Sequence, residues 1–329
     1  MRPKIILVFV LAMILSEDVQ AHDAVVNGIF YNLDKATKAA QVTYSSNSSE
    51  KYSGDIVIPE KIECGGENYV VKSIGMQAFH LCHSLTSITL PSSIESIGSY
   101  AFSYTDGLTS MSVAADNPVY DSRDNCNAII ETANNRLVAG CSATVIPESV
   151  TAIGYRAFEG VYNETIFISK NIVSIENMAF DLTRVASITV DSSNPVYDSR
   201  DNCNAVIETS TNTLAVGCIN TVIPSSVIAI GDYAFGGCQH LETIEIPSKI
   251  KSIGAGAFFC CYRLKNVKVP YGVESQFEPY PTGVEDIPAD SVENAVFDDS
   301  WYTLDGRRLQ ARPTRAGIYI HRGKKQIVR

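Results

Sequence analysis

The sequence lacks any apolar run long enough to cross a membrane. Its longest run, Ile5 to Leu15, is shorter than the roughly 20 residues of a transmembrane helix. Basic residues precede this run, and the small-residue sequence Val19-Gln20-Ala21 follows it. This order predicts a secretory signal peptide that is cleaved near Ala21. No cysteine directly follows that point, which argues against a lipoprotein anchor.

Histidine is scarce, and the common catalytic motifs are missing. The chain has five histidines. It contains no Gly-x-Ser-x-Gly elbow, no phosphate-binding loop and no His-Glu-x-x-His sequence. An exported glycan-active enzyme remains an alternative, but it would need a pair of catalytic carboxylates that the sequence does not single out. We therefore predict a protein that is not an enzyme and needs no cofactor.

Positive charge is sparse except at the C-terminal end. The chain carries a net charge of −10. Residues 301–329 hold eight Lys or Arg and one Asp, a net of +7, so the rest of the chain carries −17. An acidic body repels a phosphate backbone. We therefore expect no nucleic-acid partner.

What the sequence does contain is an internal repeat. A short Ile-Gly-x-x-Ala-Phe pattern occurs in six copies, the fourth with Glu176 in place of Gly. One copy has no closed core, so the copies must stack to bury their apolar positions. We expect the glycine after each isoleucine to adopt positive φ in a turn. The copies form three pairs of nearly constant internal spacing, which end at Phe79 and Phe102, at Phe158 and Phe180, and at Phe235 and Phe258.

The two longer gaps between copies contain matching inserts. The sequence of residues 117–128 returns at 194–205. Apolar runs on both sides of a turn predict that each insert, 114–144 and 191–221, is a β-hairpin. Each holds two cysteines at equivalent positions. If Ala133-Asn134 forms the loop, these cysteines face each other and a disulfide is allowed. If Asn134-Asn135 forms the loop, the cysteines are two positions out of register and a disulfide would be strained, so that free thiols are the alternative. The pairs are Cys126 with Cys141 and Cys203 with Cys218.

The pattern Ile-Pro-x-x-Val-x-x-Ile-Gly-x-x-Ala-Phe-x-x-Cys-x-x-Leu resembles the BspA-type leucine-rich repeats of bacterial surface proteins. The resemblance covers roughly residues 54–270. It implies a leucine-rich repeat solenoid, β-rich with short helical turns, in a right-handed stack of six repeats. Members of that family are regarded as adhesins towards host proteins, so the resemblance also implies a secreted or surface-exposed binding protein.

The chain is thus expected to have five segments. Residues 298–329 read as a short C-terminal β segment, which resembles the sorting-type tail of secreted Bacteroidetes proteins. Asp290-Ser291-Val292 is similar to the O-glycosylation sequence of the same bacteria, which makes Ser291 a candidate modification site. The other segments are a signal peptide (1–21), an N-terminal β cap (22–53), the solenoid (54–273) and a linker (274–297).

Two kinds of metal site are conceivable. His80, Cys82 and His83 are zinc-type ligands, as are Cys238 and His240, but they lack the paired spacing of a zinc site. The aspartates of the two inserts lack the spacing of an EF-hand. Buried thiols and turn-capping carboxylates are the ordinary interpretation of both sets. We predict no metal site.

The binding surface is expected on the strands of the stack. Side chains between the buried positions point outward and form a long face that suits an extended partner. The partner would be a protein or glycan macromolecule outside the cell; the alternatives are a structural, self-associating surface component and an ordinary solvated surface. The candidate residues are Thr86, Ser87, Thr109, Ser110, Glu242, Thr243, Lys265 and Asn266.

Overall fold

A computed structural model describes residues 22–45, 51–162, 164–181, 184–265, 267 and 269–277, together with four short strands after residue 300. The described residues are strand-rich, and their helical elements are three 3₁₀ turns: Arg123–Asn125, Arg200–Asn202 and Glu274–Gln276. The expected β-rich repeat fold is therefore confirmed. The predicted signal peptide and Ser291 lie outside the described residues.

The strands are short, since each repeat contributes only a few residues to any sheet. In chain order they are β1 (Ala24–Val26), β2 (Ile29–Asp34), β3 (Ala39–Thr43), β4 (Gly54–Val57), β5 (Lys61–Cys64), β6 (Glu67–Ile74), β7 (Leu85–Leu90), β8 (Ser96–Ile97), β9 (Ser110–Val113), β10 (Tyr120–Asp121), β11 (Ala128–Glu131), β12 (Arg136–Gly140), β13 (Ala152–Ile153), β14 (Thr165–Ile168), β15 (Ser174–Ile175), β16 (Ser187–Val190), β17 (Tyr197–Asp198), β18 (Val206–Glu208), β19 (Thr213–Val216), β20 (Ala229–Ile230), β21 (Ser252–Ile253), β22 (Trp301–Tyr302), β23 (Arg308–Leu309), β24 (Gly317–His321) and β25 (Lys324–Val328).

The N-terminal end of the stack is covered by an antiparallel meander. Strands β1, β2 and β3 pair in sequence, and β3 then pairs in parallel with β6 of the first repeat. Tyr31 and Val42 of this meander are fully buried. The meander thus covers the apolar end that a stack of repeats would otherwise expose.

Two parallel ladders run along the repeats. The longer strands form one ladder, in which β4, β7 and β9 pair in one sheet and β14 pairs with β16 in another. The two-residue Ser-Ile and Ala-Ile strands form the second ladder, through β6–β8, β12–β13–β15 and β19–β20–β21. In the longer strands the isoleucines and leucines point into the core, as in Leu85, Ile88 and Leu90 of β7.

The repeat phenylalanines stack in three pairs. The rings of Phe79 and Phe102 lie 5.4 Å apart at an interplanar angle of 3°. The second pair, Phe158 with Phe180, has a separation of 5.3 Å, and the third, Phe235 with Phe258, of 5.1 Å. Stacked aromatic pairs at this spacing add to the stability gained by burial.

The inserts form layers of the stack between these pairs. In the first insert, Ile129, Ala139 and Cys141 pack into the core around Phe102, whereas Ile130 and Leu137 pack into the core around Phe158. The insert strand carries Gly140 at the edge of the Phe158 ring, where a β-carbon would clash with the ring. Each insert therefore takes the place of a repeat and separates two phenylalanine pairs.

The expectation for the repeat glycines was wrong. Gly98 and Gly254 do not have positive φ. A β-carbon at Gly98 would instead lie 2.5 Å from the backbone nitrogen of Met76 in the preceding repeat. Glycine is needed there because the two backbones approach closely. Positive φ occurs two residues before and two after the phenylalanine, as at Gln77 and Leu81, both at 59°.

The cysteine pairs of the inserts do not face each other. Strand β11 pairs with β12 at Glu131↔Arg136, but a bulge shifts the register, so that Ala128 pairs with Gly140. The shift places Cys141 opposite Asn127, whose carbonyl oxygen lies 3.2 Å from the Cys141 sulfur. Cys126 instead packs into the core around Phe158. The second insert has the same bulge, and Cys126, Cys141, Cys203 and Cys218 are all free thiols in the structure.

Residues after the last repeat continue the core. The Phe277 ring packs 5.1 Å from the Phe258 ring, and the Gln276 side chain accepts a hydrogen bond from the Ile253 nitrogen. We therefore place the start of the proposed linker after Phe277. Further along, β22–β25 form a four-stranded antiparallel sheet. Within the described residues, no helix is long and apolar enough to span a bilayer.

Candidate binding face

The N-terminal part of the predicted face is one continuous strip. Ser87 of β7 and Ser110 of β9 are direct neighbours across the ladder. Thr86 and Ser87 both donate hydrogen bonds of 2.7 Å to one carboxylate oxygen of Asp55. These bonds, from Ser87 first and then Thr86, lower the pKa of Asp55. The hydroxyl groups of Thr86 and Ser87 are thus engaged within the strip itself.

The C-terminal part of the predicted face is not joined to this strip by pairing of the described strands. Glu242, Thr243 and Lys265 are exposed, but the described residues around them form no strand. The Lys265 nitrogen donates a single backbone hydrogen bond of 2.9 Å to the Glu242 carbonyl oxygen. Asn266 lies outside the described residues. The structure therefore brings the N-terminal candidates together but does not join them to the C-terminal ones.

A concavity of about 700 Å³ lies between the two groups of candidates in chain order. It lies at the start of β14 and β16, where Thr165 and Ser187 are cross-strand partners. Like Ser87 and Ser110, each of these two residues directly precedes the buried Ile or Met of its strand, but they belong to a separate sheet. The concavity is lined by Tyr162, Glu164, Thr165, Arg184, Ala186, Ser187, Asn204 and Asn220.

The second insert forms one wall of this concavity. Ser187 donates a hydrogen bond of 3.1 Å to the side-chain oxygen of Asn204. Asn204 in turn donates to the Asn220 carbonyl oxygen over 3.3 Å, and the Asn220 amide donates to the Ala186 carbonyl oxygen over 3.1 Å. The insert is thereby attached to the beginning of β16, and the wall is held by side chains that line the concavity.

A stacked pair borders the concavity. The Arg184 guanidinium lies 4.2 Å from the centre of the Tyr162 ring, a favourable cation–π distance. Arg184 also acts on His240, whose pKa is lowered by burial and then by Arg263 and Arg184. His240 is therefore neutral at pH 7. Because Glu164 is also part of the lining, its charge balances that of Arg184.

Sequence reasoning missed this concavity, although the duplication contained a signal. We call residues 105–181 the first unit and residues 182–258 the second unit. Ser110 and Asn127 of the first unit return as Ser187 and Asn204 of the second. At the same offset Gly107 becomes Arg184, and Ala143 becomes Asn220. These larger polar groups distinguish the second unit, but only the pairing of its insert with β16 brings them to one concavity.

A second group that departs from the repeat lies in the core. Arg156 forms ion pairs with Glu159 and with Asp181, the latter at 3.1 Å. The two carboxylate side chains are only 3% and 1% exposed. Ser103 of the preceding repeat donates a hydrogen bond to Glu159. The single positive charge of Arg156 thus offsets part of the negative charge of two buried carboxylates. The bond from Ser103 to Glu159 joins the repeats on either side of the first insert.

The candidate metal ligands have other roles in the structure. Burial raises the pKa of the Cys82 and Cys238 thiols above the ordinary value. Asp121 and Asp198 of the inserts form ion pairs with Arg123 and Arg200. Within the described part of the chain, no three His, Cys, Asp or Glu side chains are grouped to hold a metal ion.

Six copies of the BspA type leucine rich repeat region match residues 60–120, 138–213 and 207–279. The chain belongs to this family. The matched residues include most of both ladders, all six repeat phenylalanines and the second insert. The chain is therefore a bacterial-type leucine-rich repeat protein, and the match indicates no enzyme family. Among curated protein sequences, none matches this one.

Several solved structures are similar to this chain. A leucine rich cell surface protein from Faecalibacterium prausnitzii has 22% identity and a TM-score of 0.37, over 76% of this chain and 77% of that one. A leucine-rich repeat protein from Bacteroides ovatus has 22% identity and a TM-score of 0.39, over 77% of this chain but 54% of its own. The pneumococcal vaccine antigen PcpA has 16% identity and a TM-score of 0.41, over 78% and 71%.

Proposed function

We propose that this protein is exported and binds a macromolecule outside the cell, without catalysis. The supporting observation is the row of outward polar side chains that runs from Asp55 through Ser87 and Ser110, together with the cross-strand pair Thr165 and Ser187 in a second sheet. Such a row suits an extended chain better than a small molecule, which needs an enclosed pocket. In this proposal, a right-handed stack of six short repeats with two hairpin inserts carries the face.

The partner in this proposal is a host or matrix protein, or a glycan of a cell surface. The strip at the N-terminal end of the repeats is rich in hydroxyl groups, and the charges of Glu242 and Lys265 lie apart from it at the C-terminal end. We therefore expect moderate affinity, with salt dependence confined to partners that reach the charged end.

Surface plasmon resonance with the purified protein tests the proposal. Immobilised matrix proteins and host-cell membrane preparations are the ligands, and saturable binding to at least one of them is the expected result. The absence of any saturable signal, together with measurable hydrolysis of a glycan or peptide, would favour an enzyme. Concentration-dependent self-association without any other ligand would favour a structural surface component.

Export carries its own tests. We propose cleavage after Ala21, with residues 298–329 acting as a sorting-type tail and Ser291 carrying an O-linked glycan. Protein isolated from its native host should begin at His22, and its intact mass should exceed the sequence mass by a hexose-containing series. A mass that matches the unmodified chain would exclude the modification of Ser291. Retention of a variant without the tail inside the cell would support the sorting role, and normal export would exclude it.

A further inference from the structure

We propose that the central concavity binds a neutral stretch of an oligosaccharide. This inference rests on the proposed function, because it names the ligand class for one part of the same face. The main supporting observation is that the Tyr162–Arg184 pair lines the same concavity as hydroxyl and amide side chains from two strands and the second insert.

The size and lining of the concavity fit a short saccharide. Its volume of about 700 Å³ lies within the usual range for ligand sites, which is about 300–1,000 Å³. The lining offers hydroxyl groups from Thr165 and Ser187 and side-chain amides from Asn204 and Asn220. Hydroxyl and amide groups donate and accept hydrogen bonds, as each sugar hydroxyl does. One concavity can thus engage several hydroxyls of a pyranose ring.

The charges of the lining argue for a neutral ligand. Arg184 is the one cationic side chain among the lining residues that the structure describes, and Glu164 carries the opposite charge. The lowered pKa of His240 leaves that neighbour uncharged at pH 7. A sulfated or uronic polymer would need a row of cations, as other polyanions do. A peptide would need apolar pockets for its side chains, and among the described lining residues only Ala186 is aliphatic.

Tyr162 provides the apolar part of the site. This residue is 42% exposed, so its ring is accessible to a ligand. The contact with Arg184 fixes the orientation of the ring. An aromatic ring combines a broad apolar face with a polar hydroxyl at its edge. The C–H face of a pyranose ring can pack on such a surface while its hydroxyls reach the amides of the insert wall.

The polar wall is organised before a ligand arrives. Asn204 accepts from Ser187, and the hydroxyl of Thr221 donates to the Asn204 carbonyl oxygen over 2.7 Å. Asn220 uses one of its two amide N–H groups for the Ala186 carbonyl oxygen. Binding therefore orders few additional side chains, which reduces the entropic cost of association.

The first unit of the chain offers a built-in comparison. Ser110 and Asn127 match Ser187 and Asn204, but Gly107 occupies the position of Arg184. A β-carbon at Gly107 would clash with the His83 carbonyl oxygen. The first unit therefore has no room for a side chain at the position that Arg184 occupies in the second unit. Ala143 also stands where the second unit has Asn220. We therefore assign saccharide binding to the surface beside the second insert alone.

Isothermal titration calorimetry on the full chain tests the assignment. The probes are neutral tri- to hexasaccharides of glucose, galactose, mannose and N-acetylglucosamine, with heparin and polygalacturonate fragments as acidic comparators. At least one neutral probe should bind saturably, with little change in affinity between low salt and about 500 mM salt, since no net charge is involved. Tyr162→Ala and Arg184→Ala should each weaken this binding by about tenfold or more.

A matched variant in the first unit is the control. Asn127→Ala should leave the affinity for the neutral probe within about twofold, whereas Asn204→Ala at the equivalent position of the second unit should reduce it, as should Ser187→Ala. Circular dichroism spectra and thermal melting confirm that each variant is folded. The assignment would be overturned if the substitution in the first unit weakened binding as much as those in the second, or if no probe bound saturably. It would also be overturned if only acidic probes bound, or if a peptide bound in the concavity.

The outcome is distinguishable from that of the proposed function. If the protein binds a matrix protein and Tyr162→Ala leaves that binding unchanged while no saccharide binds, the general function stands and the saccharide site is refuted. If a neutral saccharide binds and no macromolecule does, the saccharide site stands and the proposed function is refuted.

Discussion

At the scale of single residues, the buried ion cluster around Arg156 makes a strong prediction. Arg156→Leu removes the cation that Glu159 and Asp181 share, and leaves both carboxylates in the core. Breaking a buried pair in this way costs roughly 3–5 kcal/mol. Urea unfolding of the purified variant measures the change in free energy of unfolding.

The control for Arg156 is an exposed pair of similar geometry. Lys72 and Glu95 lie 2.6 Å apart, but 44% and 56% of their side chains are exposed. Lys72→Leu should therefore change the free energy of unfolding by less than about 1 kcal/mol. Equal effects of the two substitutions would show that Arg156 is not a structural cation.

The cysteines give a second prediction at this scale. Eight of the nine thiols are buried, and only Cys64 is partly exposed. Because burial raises the pKa of thiols such as Cys126 and Cys141, they are poor nucleophiles in the folded protein. Titration with a thiol reagent at pH 8 should detect one fast group, and Cys64→Ser should remove it.

The same thiol reagent, applied to denatured protein, determines whether the insert cysteines are oxidised. Unreduced, denatured protein should expose all nine thiols. A count of seven or five would mean that one or both insert pairs had formed disulfides in spite of the bulged register.

At the scale of elements, the insert strand and the next repeat form one packing unit. Gly140 and the Phe158 ring are in contact, so Gly140→Ala should cost about 1–3 kcal/mol through overpacking. Phe158→Leu alone also destabilises the protein, because it removes the ring that stacks on Phe180. In the double variant, however, the smaller leucine leaves space for the methyl group that Gly140→Ala adds. The double variant should therefore be less destabilised than the sum of the two, as a denaturant double-mutant cycle would measure. Strict additivity would mean that the layers do not couple.

Some properties of these elements could be read from sequence, and others could not. The regular spacing of isoleucine and phenylalanine is sufficient to predict a β-rich repeat fold, because no other arrangement buries them all. The same spacing cannot tell a glycine that needs positive φ from one such as Gly98 that accommodates a neighbouring backbone. It also cannot reveal the extra residue, Val138, that shifts the hairpin register. The concavity was missed because Asn204 and Tyr162 are far apart in sequence.

At the scale of the whole molecule, the inserts of the first and second units have nearly the same conformation. Asn117 and Asn194 make the same set of four hydrogen bonds around their side chains. Ser122 has φ −131° and ψ 53°, and Ser199 has φ −128° and ψ 54°. The duplication is therefore structural as well as sequential, and each unit spans one insert and two repeats.

Because of this duplication, the length of the protein can change by one whole structural period of 77 residues. Removing residues 118–194 joins Asn117 to Pro195, the same dipeptide that stands at each original position, and brings the second insert onto β9 in the place of the first. Both hydrogen-bond ladders keep their phase across such a junction, because one whole structural period is lost. We expect the shortened chain to fold, with a cooperative thermal transition and an unchanged circular dichroism spectrum per residue; an unfolded product would contradict this. A gene with two such similar stretches can lose or gain a period by recombination, so chains of different copy number are physically available without any redesign of the core.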